Sequence, residues 1–136
     1  MTDQNCIFCK ISNHEIGSQT LYEDETCIVI LDLSQATHGH SLVISKKHYP
    51  SILEADPQDV AHMFTVAKKM AETICLNLHA NGVNILTNAK EAAGQTVDHF
   101  HIHIIPRYDQ NDGFNPIFTN NEGKEDLATI KSEILK

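Results

Sequence analysis

Residues 99 to 105 read His99-Phe100-His101-Ile102-His103-Ile104-Ile105, and this alternation constrains the local structure more tightly than anything else in the chain. Successive side chains of a β-strand point to opposite faces. A strand here therefore puts His99, His101 and His103 on one side and Phe100, Ile102 and Ile104 on the other. The apolar trio can seal against a helix, and the imidazoles form a row at a spacing of roughly 6.5–7 Å. A buried imidazole must find partners for both ring nitrogens, so three in a row are costly unless they serve chemistry or a metal. Against catalysis stand a solvated, histidine-rich strand face and a purely metal-binding row. The segment just upstream, Ala93-Gly94-Gln95-Thr96-Val97, favours catalysis. Gly94 permits close backbone approach, and Gln95 and Thr96 bring amide and hydroxyl donors that can hold phosphate oxygens as charge develops on them. Taken alone, the same loop is a glycine-containing hairpin turn.

With 136 residues, 41% hydrophobic and 21% charged, the chain is expected to form one domain, residues 1–136, with a real core and no disulfide staples. No apolar run approaches the ~18 residues of a membrane span. The segment Met1 to Asn5 is polar and leads straight into Cys6, so no secretory signal is expected and a cytoplasmic location follows. A net charge of −8 disfavours nucleic acid and acidic membranes as partners, because phosphate backbones need clustered Lys and Arg. It leaves room for a small phosphorylated ligand held by backbone amides and a few imidazoles. Of the four cysteines, Cys27 and Cys75 sit in apolar patterns and read as small core residues, whereas Cys6-x-x-Cys9 is half of a zinc knuckle.

The remaining pattern predicts an α+β domain. A short helix or turn over residues 6–16 ends at Gly17, and residues 19–33 are extended around the acidic turn Glu23-Asp24-Glu25. Ser41 to Ser45 is a strand. The clearest helix runs from Pro57 to Ala80, capped by Asp56, with Val60, Phe64, Ala67, Ala71, Ile74 and Leu78 on one stripe, widened by Met63, Met70 and Cys75. Asn81-Gly82 supplies a left-handed stop. Val83 to Leu86 is a strand, Lys90 to Gln95 a loop, and His99 to Ile105 the last strand, closed by Pro106. Residues 109–123 form a loop before a C-terminal helix over residues 125–136. Five short strands in two hairpin-like groups around one long helix favour a largely antiparallel sheet.

These motifs are similar to those of the histidine triad superfamily. His99 to Ile105 resembles its defining H-φ-H-φ-H-φ-φ motif, where φ is apolar. Cys6-Ile7-Phe8-Cys9-Lys10-Ile11 resembles the N-terminal signature of the nucleotide-binding branch. Gly39-His40-Ser41-Leu42-Val43-Ile44 with Lys46-Lys47-His48 resembles that branch's central strand, and Ala93 to Val97 and Ile105-Pro106-Arg107 flank the triad as in the family. The motifs span residues 6 to 107; residues 108–136 carry none.

The resemblance implies a hydrolase in which His101 attacks the α-phosphorus of a purine nucleotide conjugate and water then clears the nucleotidyl-histidine. It implies that His103 and Thr96 hold phosphate oxygens, that His99 sits near the leaving group, and that His40 supports the triad from the adjacent strand. By itself His40 reads as a satisfied core histidine. Asp32 falls at the ribose-binding position, though it reads equally as an ordinary strand-end Asp, with Ile30 and Leu33 as walls for the base. Gly94 and Gln95 complete the phosphate loop. Asn88 matches the nucleotide-binding branch, whereas the fragile histidine triad branch, which splits dinucleoside polyphosphates, carries Gln there. Residues 91–97 and Pro106-Arg107 resemble that second branch about as well, so it stays open as an alternative. A zinc- and nucleotide-binding regulator without turnover stays open too. By resemblance, Cys6, Cys9, His48 and His99 would hold a structural zinc ion; otherwise the cysteines are buried and reduced and His48 is exposed. The resemblance also implies a homodimer joining two sheets edge to edge, with the long helix at the interface. His14, His62 and His79 read as solvated, with His38 in a loop beside the site.

Overall fold

The computed structural model describes residues 3–109 and 111–136. In chain order the elements are α1 (Ile7–Ser12), β1 (Thr20–Glu23), β2 (Cys27–Leu31), β3 (Ser41–Ser45), α2 (Pro57–Leu78), β4 (Gly82–Leu86), β5 (His101–Arg107) and α3 (Leu127–Ile134), with a 3₁₀ turn at Glu91–Ala93. The fold is α+β, and all four strand pairings are antiparallel. The sheet order is β1-β2-β3-β5-β4, so the triad strand inserts between β3 and β4. Among the described residues no helix is long and apolar enough to cross a membrane.

The period of two along β2, β3 and β5 builds two separate cores. Cys27 and Val29 of β2, Val43 of β3, and Phe100, Ile102 and Ile104 pack against Met63, Val66, Ala67, Ala71 and Ile74 of α2. Ile28, Ile30, Leu42 and Ile44 point the other way and meet Phe8 and Ile11 of α1. In β5 that second face carries histidines: Leu42 lies opposite His103 and Ile44 opposite His101. The triad thus stands on the α1 face, with α2 sealing the back of the strand.

Asp56 caps α2 as expected, its side chain accepting from the Gln58 amide with Pro57 in the first turn. The buried stripe is centred on Met63, which is fully buried, and includes Val66; Val60, Phe64 and Leu78 lie at its margin. The helix stops earlier than expected. His79 itself adopts the left-handed conformation, φ 58°, and its N–H closes on the Cys75 carbonyl, while Gly82 opens β4. Cys75 is half-buried rather than core.

β5 also differs from expectation. It begins at His101 and runs through Pro106 to Arg107. Proline is tolerated because pairing with β3 ends at Ile104, so Pro106 has a neighbour strand on one side only, opposite Val83. His99 and Phe100 precede the strand, with the Phe100 amide donating to the Tyr49 carbonyl. The C-terminal helix is shorter than expected and buries nothing: Leu127 and Ile134 are exposed, as are Ile117 and Phe118 before it.

Candidate functional site

Four imidazoles converge on the α1 face, and their hydrogen bonds fix which nitrogen of each carries the proton. His101 Nδ1 lies 2.6 Å from the carbonyl oxygen of His99. A carbonyl only accepts, so Nδ1 bears the hydrogen and Nε2 is left with a bare lone pair. Phe8 packs edge-on against this ring, centroids 4.9 Å apart. Burial pushes the imidazole's pKa down, opposed by the His99 carbonyl and the Asp32 charge, so His101 is neutral near neutral pH.

His40 and His103 form a relay. The Ala36 amide donates to His40 Nδ1 at 3.2 Å, so the neutral ring carries its proton on Nε2. That nitrogen lies 3.0 Å from His103 Nδ1, which must accept, placing the His103 proton on its own Nε2. The His103 and His101 rings are 5.0 Å apart. The unprotonated nitrogen of one ring therefore works beside a neighbour that keeps a donor. His103 is held to about 4 by burial, reinforced by the neighbouring imidazoles. His40 is lowered by burial, with Asp32 pulling the other way.

Asp32 follows β2. Its Oδ1 accepts from the amide and hydroxyl of Ser34, and its Oδ2 lies 3.7 Å from His40 Nε2. Burial works to raise its pKa, but the Ser34 hydrogen bonds and the imidazoles outweigh it, and the carboxylate stays ionised.

At the other end of the row, Cys6, Cys9, His48 and His99 bring four ligand atoms together. His99 Nδ1 lies 3.3 Å from Cys6 Sγ, 3.5 Å from Cys9 Sγ and 3.2 Å from His48 Nδ1; Cys9 Sγ and His48 Nδ1 are 3.4 Å apart. Tetrahedral zinc, with Zn–S about 2.3 Å and Zn–N about 2.0–2.1 Å, has N···N edges of roughly 3.3 Å and N···S edges of roughly 3.5 Å. The donor set and its spacing fit that ion. His99 Nε2 donates to the Ser45 carbonyl at 2.7 Å, which orients Nδ1 toward the sulfurs, and the Asp3 amide donates to Cys9 Sγ at 3.2 Å. Burial raises the Cys9 thiol, so a bound cation would be needed to keep it as thiolate.

This geometry bears on the parts expected of His99 and Gln95. His99 is fully buried with both nitrogens engaged, so neither can meet a leaving group. Its carbonyl, not its ring, serves the site, by orienting His101. Gln95 offers no free donor: its Oε1 accepts from the Lys90 amide, and its Nε2 donates to the carbonyls of Pro50 and Val97. The side chain braces the loop from within. Thr96 is exposed on a cleft of about 1050 Å³, shared with Cys6, His48, Val97 and Lys90. Gly94 turns with φ 93° beside the amide of Asn88. Leu33 is wholly exposed, whereas Ile30 is buried in the core under α1. His14, His62, His79 and His38 are exposed.

The sequence profile of the HIT domain family matches residues 13–110. The chain belongs to the HIT family. Protein hit of Bacillus subtilis (strain 168) is 42% identical over 136 residues, covering 98% of this chain and 94% of that protein. Adenosine 5'-monophosphoramidase HNT1 of Saccharomyces cerevisiae is 34% identical, covering 82% of this chain and 68% of its own. Adenylylsulfatase HINT3 of Arabidopsis thaliana is 42% identical over 79% of this chain, which spans about half of that longer protein (54%). The crystal structure of a HIT family protein from Bacillus anthracis superposes with a TM-score of 0.91 at 43% identity, covering 98% of this chain and 97% of that one. A zinc-bound histidine triad family protein from Mycobacterium smegmatis superposes at 0.77 with 34% identity, covering 95% and 97%.

Several residues of this HIT site escaped sequence reasoning. The Ala36 amide and the carbonyls of Ser45 and His99 set three tautomers, but backbone groups carry no residue signature. Thr87, whose hydroxyl donates to the His101 carbonyl at 2.6 Å, is a polar residue directly after an alternating strand, which is the only signal that could have found it.

Proposed function

We propose that this HIT protein is a hydrolase of purine nucleoside phosphoramidates, AMP or GMP conjugates, acting at the α-phosphorus through a nucleotidyl intermediate on His101. The observation that carries the reading is the 2.6 Å contact of His101 Nδ1 with the His99 carbonyl. It leaves Nε2 as the nucleophile and holds the opposite N–H where imidazolium charge develops once Nε2 bonds to phosphorus. As the Nε2–P bond forms, the P–N bond breaks and its electron pair departs on the amine nitrogen, which takes a proton from solvent. The His103 Nε2–H, kept in place by His40, donates to a non-bridging oxygen, joined by Thr96 and the Gly94 backbone. Water then attacks phosphorus and gives up a proton to solvent, the Nε2–P bond breaks with its electron pair returning to Nε2, and the nucleoside monophosphate leaves with neutral His101 restored.

Asp32 Oδ2 is available to accept from the ribose hydroxyls, with Leu33 against the base, Ile30 backing it from the core, and Asn88 beside the phosphate loop. Cys6, Cys9, His48 and His99 would hold zinc as a closed, structural four-ligand site with no open position for water. The zinc-bound M. smegmatis protein supports this, and the activities by which HNT1 and HINT3 are named support an adenylyl substrate. One domain, residues 1–136, would carry the whole site, working as a homodimer.

Single-turnover reaction with labelled AMP-lysine amide tests the reading: the wild type retains covalent nucleotide and His101→Ala retains none. A higher kcat/KM on diadenosine polyphosphates would reassign the substrate to phosphoanhydrides. Nucleotide binding without any covalent label would make the protein a regulatory binder.

A further inference from the structure

The residues after the triad strand carry no motif, and the family match ends at residue 110. Yet part of this segment is built tightly onto the loop that sets the relay. Asp112 gathers Arg107 Nε at 2.7 Å and the Tyr108 amide at 2.8 Å, and Arg107 also donates to Asn84 Oδ1 at 2.8 Å on β4. From that base two contacts reach the β2–β3 loop. The Tyr108 hydroxyl donates to the His38 carbonyl at 2.6 Å, and Gly113 lies so close to Ala36 that a Cβ there would stand 1.8 Å from the Ala36 carbonyl oxygen. The loop is braced on its other side by Gly39, where φ is +95° and a Cβ would come 2.6 Å from Leu78 Cδ1. Held between α2 and the 112–113 turn, Ala36 delivers its amide to His40 Nδ1.

We propose that Gly113, Asp112 and Tyr108 are positioning residues that keep the Ala36 amide on His40 and so fix the protons of His40 and His103 on their Nε2 atoms. The link is steric and directional. At 3.2 Å the Ala36–His40 bond is already long, and a displaced Ala36 removes the donor that forbids a proton on His40 Nδ1. Once His40 can carry its proton on Nδ1, its Nε2 becomes an acceptor. His103 Nδ1 must then donate, and His103 Nε2 is left with a lone pair. That second tautomer pair satisfies the same His40–His103 contact but repels a phosphate oxygen instead of donating to it. Both states are neutral and internally hydrogen-bonded; the Ala36 amide on Nδ1 selects between them from one side of the His40 ring, and the ionised Asp32 Oδ2, 3.7 Å from Nε2, favours the same state from the other. The catalytic consequence rests on the phosphoramidase reading; the tautomer assignment does not.

The test is ¹⁵N-histidine NMR of the full chain, paired with steady-state kinetics, on wild type, Gly113→Ala, Tyr108→Phe and Gly17→Ala. The last adds the same methyl group where nothing lies within 4 Å. Wild type and Gly17→Ala are expected to show His40 and His103 as Nε2–H tautomers with equal kcat. Gly113→Ala is expected to show mixed tautomers at both rings and to lose about ten- to a hundredfold in kcat, with KM within about twofold. Tyr108→Phe, the milder change, is expected to lose about two- to fivefold in kcat with a partial shift, and it carries the test if Gly113→Ala does not fold. Unchanged tautomers in the folded variants overturn the proposal, whatever happens to turnover. Shifted tautomers in a protein whose wild type turns over no phosphoramidate support the clamp and overturn the activity.

Discussion

His101 and His103 are imidazoles that burial keeps neutral, and this sets how the protein should respond to acid. An exposed imidazole, with a pKa of about 6.5, has lost half its neutral form by about pH 6.5. His103 is held to about 4 and His101 is depressed by the same burial. The expected kcat/KM on an AMP amide therefore falls with acid at a pH below that of an exposed imidazole. A profile that breaks near 6.5 would show an ordinary imidazole as nucleophile. Stability follows with its own sign. The folded pKa lies below the unfolded one, so the unfolded chain binds more protons under acid conditions. The stability owed to neutral His103 is whole above about pH 6.5 and drains away as pH falls toward about 4. Thermal melts should show Tm lower at about pH 5 than at about pH 7, and an invariant Tm would contradict the assigned shift.

Among the elements, α1 and α2 are held by different means, and each yields a prediction. Helix α1 has six residues, too few to persist without tertiary support. It is fastened by Phe8 and Ile11 in the core and by Cys6 and Cys9 beside His48 and His99. Purified protein is expected to contain one zinc per chain by elemental analysis, and chelation should lower Tm by about 5 °C or more. Cys9→Ala should lose the metal with the same fall in Tm; a protein that melts identically with and without chelator would remove the metal from the account. Helix α2 ends on His79 at φ 58°, a left-handed position where a side chain is strained. His79→Gly is expected to stabilise the protein by about 0.5–1 kcal/mol in urea denaturation, since His79 is exposed and its side chain packs little.

These elements also show what sequence could reveal. Strand β5 and the stripe of α2 were legible because hydrophobic period is a local property, and Cys6-x-x-Cys9 because its spacing is distinctive, whereas His48 and His99 joined it only through the family resemblance. The end of α2 was not, because Asn81-Gly82 is the stronger left-handed signal and only packing places the turn at His79. Pro106 read as a stop because the sequence does not say that β3 ends opposite Ile104. The surroundings of His99 and Gln95 were hidden for a similar reason: residue type names a donor, but only tertiary structure shows that the donor is already engaged.

For the whole molecule, the two edges of the sheet are unequal, and this bears on the proposed homodimer. Edge strand β1 carries an irregularity between Thr20 and Tyr22, and its Glu23 pairs with Lys46 at 2.7 Å. Bulges and charges are what keep an edge from pairing with another chain. Edge strand β4, Gly-Val-Asn-Ile-Leu, has regular register with β5 and no charged residue. Beside it, Ala71 and Cys75 of α2 and Val83 and Ile85 of β4 line an apolar groove. An unprotected edge next to an apolar groove fits a second copy related by a two-fold axis, which would extend the sheet through β4 and place α2 at the contact. Val83→Lys puts a like charge on both copies at this contact. Light scattering should then show wild type at twice the chain mass and the variant at the chain mass, with the fold unchanged by circular dichroism, because Val83 is more than a third exposed (37%) in the single chain. A variant that remains dimeric would move the interface away from β4, to the exposed apolar residues of α3 and the segment before it.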